Sequence, residues 1–283
     1  HVLALTKPVE QILNKLVFYC NTTANAAFIV TILTVLVSFF NWGLGLIFGA
    51  IFARKVGEYA SKNLLSINYP LIGAAGYSGL IVWHGGISGS SLTKIAEEGH
   101  LKSLVSGIIP ESQLEILPNS ISFIDTVFSP MNIFVSVLLI LILPLSMYLV
   151  GKKSKASELP KFTTDAKITE KIKAVGAEKI DHSLFGVVFG GLILLIAFYL
   201  AFNSSSTTPL SFITPNFINF SLLGLGLLLH GSFFNFLNAI EEAISGVSGI
   251  LIQFPLYFGI MGIMKSSGLV NDLSAFFVSI SNE

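Results

Sequence analysis

The chain has 283 residues, of which 53% are hydrophobic and only 11% are charged, whereas an ordinary soluble domain carries about 25% charged residues. Its 16 basic and 16 acidic residues give a formal net charge of zero, which excludes a strongly basic nucleic-acid-binding surface, and its single cysteine, Cys20, excludes an internal disulfide. The composition predicts an all-α polytopic membrane protein with one transmembrane domain over residues 1–283. Because the first residue is His1 rather than methionine, we expect the chain to be a fragment.

The first long apolar stretch follows a short polar segment with Pro8 at a plausible helix start, which we expect at the membrane surface. From Leu16 to Ala53 the chain contains no Asp, Glu, Lys or Arg, and this is longer than the ~20 residues that one membrane span needs. Near the middle, residues 41–45 (NWGLG) combine residue types that destabilise a helix, so that backbone N–H and C=O groups there need other hydrogen-bond partners. Broken backbone at membrane depth is tolerated where it is buried in protein or lines a cavity, as at transporter substrate sites. We therefore predict a discontinuous membrane helix here.

A second break is predicted at the end of the next charge-free stretch, residues 63–93. Residues 83–91 read WHGGISGSS, so seven of nine are Gly, Ser or His. Such a break between half-helices exposes backbone N–H groups and the positive end of a helix dipole, which bind an anion without a basic residue. Neither break contains Arg or Lys, which favours a small monovalent anion such as a carboxylate. The alternative is that the glycines only permit close helix packing.

The distribution of charge after the second break predicts the topology. Residues 94–120 form an acidic surface segment, and Met131 to Val150 is an apolar span interrupted only by Pro144. Residues 152–181 then hold eight lysines and five acidic residues. By the positive-inside rule this segment is predicted to be a cytoplasmic loop, which places the acidic segment outside.

The C-terminal part is predicted to contain two further spans and a further broken or kinked element. Apolar stretches extend from Ser183 to Phe202 and from Phe217 to His230. The stretch from Gly246 to Met264 is apolar but contains four glycines, a glutamine and a proline, so we expect a broken or kinked element. The last apolar stretch, Leu269 to Ile280, is too short to predict a span.

The candidate substrate-binding residues come from the two breaks and the C-terminal element. His84 is either a proton carrier and carboxylate partner or an interfacial residue, and Gln253 in an apolar stretch needs a polar partner such as substrate, ion or a neighbouring helix. No phosphate-binding loop, metal-spaced Cys/His cluster or Ser-His-Asp arrangement is present in the sequence, so we expect no enzyme, no metal site and no cofactor beyond a coupling Na⁺ or H⁺. The complete candidate set is Asn41, Trp42, Gly43, Gly45, His84, Gly85, Gly86, Ser88, Gly89, Ser90 and Gln253.

Four segments resemble the bacterial short-chain fatty acid transporter family, and the similarity extends over essentially the whole chain. They are residues 41–54 (beginning NWGLG and ending FAR), 69–71 (YPL), 83–90 (WHGGISGS) and 249–257 (GILIQFPLY). The resemblance implies carriage of short monocarboxylates such as acetoacetate or butyrate, in an ion-transporter-type fold with broken or re-entrant helices and a partial inverted repeat. It also implies that the full-length protein extends further at both ends. His84 is a departure, because the family pattern is Trp-Gly-Gly-Gly.

Three functions from different classes are compatible with these patterns. The first is a secondary carrier of short-chain carboxylates in the bacterial cytoplasmic membrane, with the lipid bilayer as its only other predicted partner. The second is an anion channel or a carrier of another small organic anion, and the third is a membrane assembly subunit without transport activity. Broken elements with polar residues favour the first two. The sequence predicts neither the coupling ion nor the oligomeric state.

Overall fold

The computed structural model describes residues 2–88, 91–106, 109–162, 175–176, 178–203 and 212–280. At residues 215, 245–248 and 250–251 it describes the backbone and not the side chains. The regular secondary structure of the described residues is all-helical. The all-α architecture expected from composition is confirmed there. Three 3-10 helices (Val2–Leu5, Ser78–Ile81, Trp83–Gly85) accompany the α-helices. The α-helices are α1 Lys7–Val17, α2 Thr23–Phe40, α3 Trp42–Lys62, α4 Tyr69–Tyr77, α5 Ser91–Lys94, α6 His100–Val105, α7 Glu111–Leu114, α8 Pro130–Lys153, α9 Glu178–Asp181, α10 Phe185–Phe202, α11 Pro215–His230, α12 Phe233–Ser266 and α13 Leu269–Ile280.

Three of the described helices, α2, α8 and α10, are long and apolar enough to cross a membrane. Helix α11 and the first part of α12 pass the same test as a pair that is bent by 117°, and they make a fourth span when the pair is counted as one. The bend follows from its two central residues, since Gly231 has a positive φ of 77° and Ser232 is extended and caps α12. The protein is therefore an all-α polytopic membrane protein, and α8 and α10 are spans where the apolar stretches predicted them. The stretch Phe217 to His230, predicted as a span of its own, passes the test only together with the first part of α12.

Helices α2 and α3 form an antiparallel hairpin that turns at Asn41. Asn41 is extended (φ −152°, ψ 120°), ends α2, and accepts the Leu44 N–H at 2.8 Å as the cap of α3. Gly45 packs on Ser38, and Gly49, one turn further along α3, packs on Thr34, one turn earlier in α2. The two helices therefore run in opposite directions. The predicted break therefore exists at Asn41, but its two halves are neighbours in a hairpin rather than successive parts of one span.

Helices α4 and α8 complete the bundle around this hairpin. The α4 backbone approaches α3 where Gly76 meets Gly49, and α8 runs antiparallel to α2 with Gly151 against Ala24. At the other end of α8, the Asn132 amide reaches Gly85. The Asn41 turn, the second break and the start of α8 thus share one end of the bundle. The fully buried side chains of its core include Leu13, Val30, Phe52, Val56 and Ile72.

Residues 154–162, which we term the strap, tie the opposite end of the bundle together. The Ser157 N–H donates to Ile67 O at 3.1 Å, and Ser157 Oγ accepts the Tyr69 N–H at 3.0 Å. The Asn68 side-chain amide donates to Lys155 O at 2.9 Å. The strap therefore caps the start of α4 and fixes it to the end of α8.

Helices α10, α11 and α12 form a second, smaller core around Ile193, Leu227 and Phe236. Here α12 continues from Phe233 to Ser266 through Pro255, so the element predicted as broken or kinked at residues 246–264 is not broken, and the kink stays a prediction. A proline removes one helical hydrogen bond and can be accommodated by a kink rather than a stop. Among the described residues, the glycines at 249, 259 and 262 have no neighbour within 4 Å of an added Cβ.

Cysteine labelling tests which face of the bundle is cytoplasmic. The basic residues of α3 and α8 lie at the strap end, so we expect Glu111→Cys to react with a membrane-impermeant thiol reagent from outside and Lys161→Cys to react only after permeabilisation. Native Cys20 is the internal control, since its side chain is fully buried and burial raises its pKa to about 12, which keeps it unreactive. The reverse pattern, Lys161→Cys labelled and Glu111→Cys protected in intact cells, would contradict the topology.

Candidate functional site

The two predicted breaks contact each other in the structure. The Trp42 N–H donates to Ser88 Oγ at 3.1 Å, and the Ile87 N–H donates to Phe39 O at 2.9 Å. Gly86 lies against the backbone of Phe39, where an added Cβ would be 2.8 Å from the Phe39 Cα. Segments that the sequence predicted separately therefore form one site at the turn of the hairpin.

The start of α3 presents backbone donors at this contact. Asn41 Oδ1 accepts the Leu44 N–H and Ser88 Oγ accepts the Trp42 N–H. The Gly43 N–H, also in the first turn, forms no hydrogen bond within the described residues. Because α3 is 21 residues long, the positive end of its dipole lies here, and anions are stabilised at such a position.

A cavity of about 280 Å³ lies on the other side of the second break, between it and α8. It is small compared with the pockets that hold drug-sized ligands, so its size suits a molecule of a few heavy atoms. Its polar lining comes from one histidine, one asparagine, two serines and a glycine backbone, and the remainder is aliphatic. The lining residues are Ile81, Val82, His84, Gly85, Ser91, Leu92, Asn132, Val135, Ser136 and Leu139.

Asn132 positions the second break, and the sequence analysis did not identify it. Its Nδ2 donates to Gly85 O at 2.9 Å and to Val127 O at 2.7 Å, which uses both amide hydrogens. The acceptor Oδ1 is therefore the group left for a further partner, and it lies beside Gly85. The available signal was an asparagine in the first turn of an otherwise apolar span, where polar residues are costly and often functional.

Aromatic side chains surround the contact between the breaks. The Trp42 ring lies 5.7 Å from the Trp83 ring and 6.0 Å from the Phe254 ring, measured between centroids. The Trp83 ring also lies 4.0 Å from the His84 ring. Helix α12 contacts the site through Phe254. The candidate Gln253, which precedes Phe254, is exposed.

The candidate glycines differ in what they contact. Gly45 and Gly86 pack against α2, which agrees with the close-packing alternative for these two, whereas Gly85 faces the Asn132 and Ser136 side chains. None of the described candidates, including Gly43, has a positive φ, so no left-handed backbone conformation requires glycine at these positions. Glycine instead allows neighbouring segments to approach closely. The candidates at 89 and 90 lie outside the described residues.

Comparison with known proteins shows which family has these segments. A family model described as "Short chain fatty acid transporter" matches residues 1–283. The chain belongs to the short-chain fatty acid transporter family. This is a family of transporters and not of enzymes.

Two bacterial relatives, each named provisionally as a short-chain fatty acid transporter, align with the chain along its whole length. The protein of Escherichia coli K12 is 31% identical over 290 residues and that of Haemophilus influenzae Rd is 29% identical over 299 residues. The chain covers 61% and 62% of their respective lengths, about three fifths of each. No solved structure matches the chain. In this member of the family, three of the four segments that carry the resemblance meet where Trp42 contacts Ser88 and Phe254, and the fourth, residues 69–71, lies at the strap end.

Proposed function

We propose that the chain is part of a multi-pass secondary carrier that moves short monocarboxylates, such as acetoacetate or butyrate, across the bacterial cytoplasmic membrane. Transport is coupled to a Na⁺ or H⁺ gradient. The observation that carries the proposal is the contact between the two breaks at Trp42 and Ser88, next to a cavity of about 280 Å³. Transporters bind small charged substrates where the ends of helices meet at a break in regular structure.

The donors at this contact favour one carboxylate rather than two. The Gly43 N–H and the hydroxyl of Ser88 hydrogen-bond a carboxylate, and the dipole of α3 supplies a fraction of one positive charge. Neither break contains Lys or Arg, so a second carboxylate would be buried without a partner, which costs several kcal/mol. The cavity on the other side of the second break, which neither donor lines, has aliphatic residues such as Val82 and Leu139 that suit a short alkyl chain.

The packing beneath the site favours a carrier over an anion channel. Between the hairpin turn and the strap, the side chains of Val30, Phe52, Val56 and Ile72 have no exposed surface. A solute at the turn therefore reaches the strap end only if helices move, as alternating access requires. A channel would conduct without such a movement.

Uptake by the whole protein in proteoliposomes tests both the function and the substrate class. We expect saturable, gradient-driven uptake of radiolabelled butyrate that unlabelled acetoacetate inhibits and succinate at the same concentration inhibits at least tenfold more weakly, because burying the second charge is costly. Protein-free liposomes are the control. Inhibition by succinate as strong as that by butyrate would contradict the substrate class, and flux that does not saturate would support a channel.

A further inference from the structure

A groove of about 510 Å³ lies at the strap end of the bundle, where the last turns of α8 pack beside the start of α2. Its volume falls in the range of pockets that hold drug-sized ligands. The groove has no lining residue in common with the cavity at the second break, which lies at the other end of the bundle. It is therefore separate from the candidate substrate site.

The lining of the groove is polar at one end and apolar at the other. Asn21 and Asn25 lie just before and within the first turn of α2, whereas Phe28 lies in its second turn. On α8, Leu145 precedes Lys152 by about two turns, which is about 10 Å along the helix axis. Because α2 and α8 are long and apolar enough to be spans, the asparagines lie near the membrane surface and Phe28 and Leu145 lie deeper. This order of polarity matches that of a phospholipid, whose headgroup lies above its acyl chains.

The polar end of the groove carries positive charge that no acidic side chain balances. Lys152 Nζ lies 5.0 Å from the centroid of the Tyr148 ring, and Tyr148 lines the groove. Neither Lys152 nor the adjacent Lys153 forms an ion pair with a described residue, whereas Arg54 is paired with Glu58 at 2.9 Å. Among the described residues that line the groove, none is Asp or Glu. The charge at this end is therefore complementary to an anion.

Hydrogen-bond donors lie at the same end of the groove. Asn25 Nδ2 donates to Asn21 Oδ1 at 3.2 Å, which orients the Asn21 amide. The two Nδ2 hydrogens of Asn21 form no hydrogen bond within the described residues. They are available to the oxygens of a phosphate group, which accept such bonds strongly.

The groove is accessible from the lipid-facing side of the bundle. Leu145 is 53% exposed, and the aromatic residues between α1 and α2, Phe18 and Tyr19, are 64% and 67% exposed. Exposed aromatic side chains at the end of a span are typical of the boundary between headgroups and acyl chains. A lipid therefore reaches the groove from the bilayer without any movement of the helices.

We propose that this groove binds an anionic phospholipid, with the phosphate at Lys152 and Asn21 and one acyl chain along Phe28 and Leu145. Lysines at the end of a span attract anionic headgroups. A zwitterionic headgroup carries a positive charge of its own, which Lys152 and Lys153 repel. The inference does not depend on the proposed transport function, because the groove and the candidate substrate site are separate.

Thermal unfolding of the whole protein in detergent micelles with added lipid tests the site. We expect phosphatidylglycerol to raise the Tm to a plateau, and phosphatidylcholine with the same acyl chains to raise it less at the same mole fraction. Lys152→Gln should raise the half-saturating mole fraction of phosphatidylglycerol about fivefold, because it removes one headgroup partner. Lys265→Gln, which changes an exposed lysine in the last turn of α12 and outside the groove, is the matched control and should leave the titration unchanged.

A groove-filling substitution tests the apolar end. Leu145→Trp places a larger side chain in the groove and should abolish the difference in Tm between the two lipids, while its exposed position on α8 allows the protein to fold. Leu141→Trp is the matched control, because Leu141 lies one turn earlier on α8, is 64% exposed and does not line the groove.

Three results would overturn the inference. The first is an equal Tm with phosphatidylglycerol and phosphatidylcholine. The second is a difference that neither Lys152→Gln nor Leu145→Trp reduces, since the lipid would then bind elsewhere. The third is a Tm that Leu145→Trp lowers in lipid-free detergent while phosphatidylglycerol has no effect on the wild type, which would show that a protein segment fills the groove. If Leu145→Trp does not fold, the wild-type titration and Lys152→Gln decide.

Discussion

Replacement of Gly86 by alanine is expected to abolish butyrate uptake. The added Cβ would lie 2.8 Å from the Phe39 Cα and 2.9 Å from its carbonyl carbon, and backbone atoms cannot rotate away as a side chain can. The second break must then separate from α2, which removes the hydrogen bond from the Ile87 N–H to Phe39 O and displaces Ser88 from Trp42. Overpacking of this kind costs about 1–3 kcal/mol of stability in addition to the loss of the site.

Gly73→Ala is the matched control for this experiment. Gly73 lies in α4 with nothing within 4 Å of an added Cβ, so alanine there should stabilise the helix by about 0.5–1 kcal/mol and leave uptake unchanged. Expression, Tm and initial uptake rates are measured for both variants. Wild-type uptake by Gly86→Ala would show that the two breaks need no close contact for transport.

Replacement of Asn132 by leucine should lower butyrate uptake at least tenfold at normal membrane expression. Leucine has a similar size but cannot donate to Gly85 O or Val127 O, and leaving a buried carbonyl unpaired costs about 1–3 kcal/mol. The second break is then no longer held against α8, and the cavity loses the acceptor Oδ1 of Asn132.

Asn203→Leu provides the comparison for Asn132, because the Asn203 side chain is exposed and, among the described residues, its amide donates only to Tyr199 O at the end of its own helix. The KM and the maximal rate of uptake are measured for both variants in proteoliposomes. An unchanged KM and rate for Asn132→Leu would exclude Asn132 from positioning the site.

The sequence located the hairpin turn but not the direction of the chain after it. Residues 41–45 carry a strong local signal because asparagine caps helices and glycine weakens them. The angle between α2 and α3 depends instead on the packing of Gly45 on Ser38 and Gly49 on Thr34, which lie on opposite sides of the break. Contacts between distant residues decide such angles, and helix propensity contains no information about them.

The dependence on contacts between distant residues also explains the other differences between the predicted and the observed structure. Pro255 and its neighbouring glycines suggested a broken or kinked element, yet proline and glycine are tolerated in membrane helices, and α12 continues without a break. Asn132 was not identified because its role depends on Gly85, 47 residues away in sequence. By contrast, α8 and α10 were predicted well, since a long apolar stretch between charged or polar flanks is determined by composition alone.

The strap also fixes the order in which this half of the protein can be completed during synthesis. Its bonds from Asn68 to Lys155 and from Tyr69 to Ser157 join residues 87 and 88 positions apart. Helices α2 to α4 therefore leave the ribosome long before the residues that cap α4 have been translated, and α2 lacks α8 during that interval. Contacts between distant segments form late and leave their partners exposed until then. A nascent chain that ends with α8 already contains every helix of the first bundle, and residues 154–162 then add the bonds to Asn68 and Tyr69 at the start of α4.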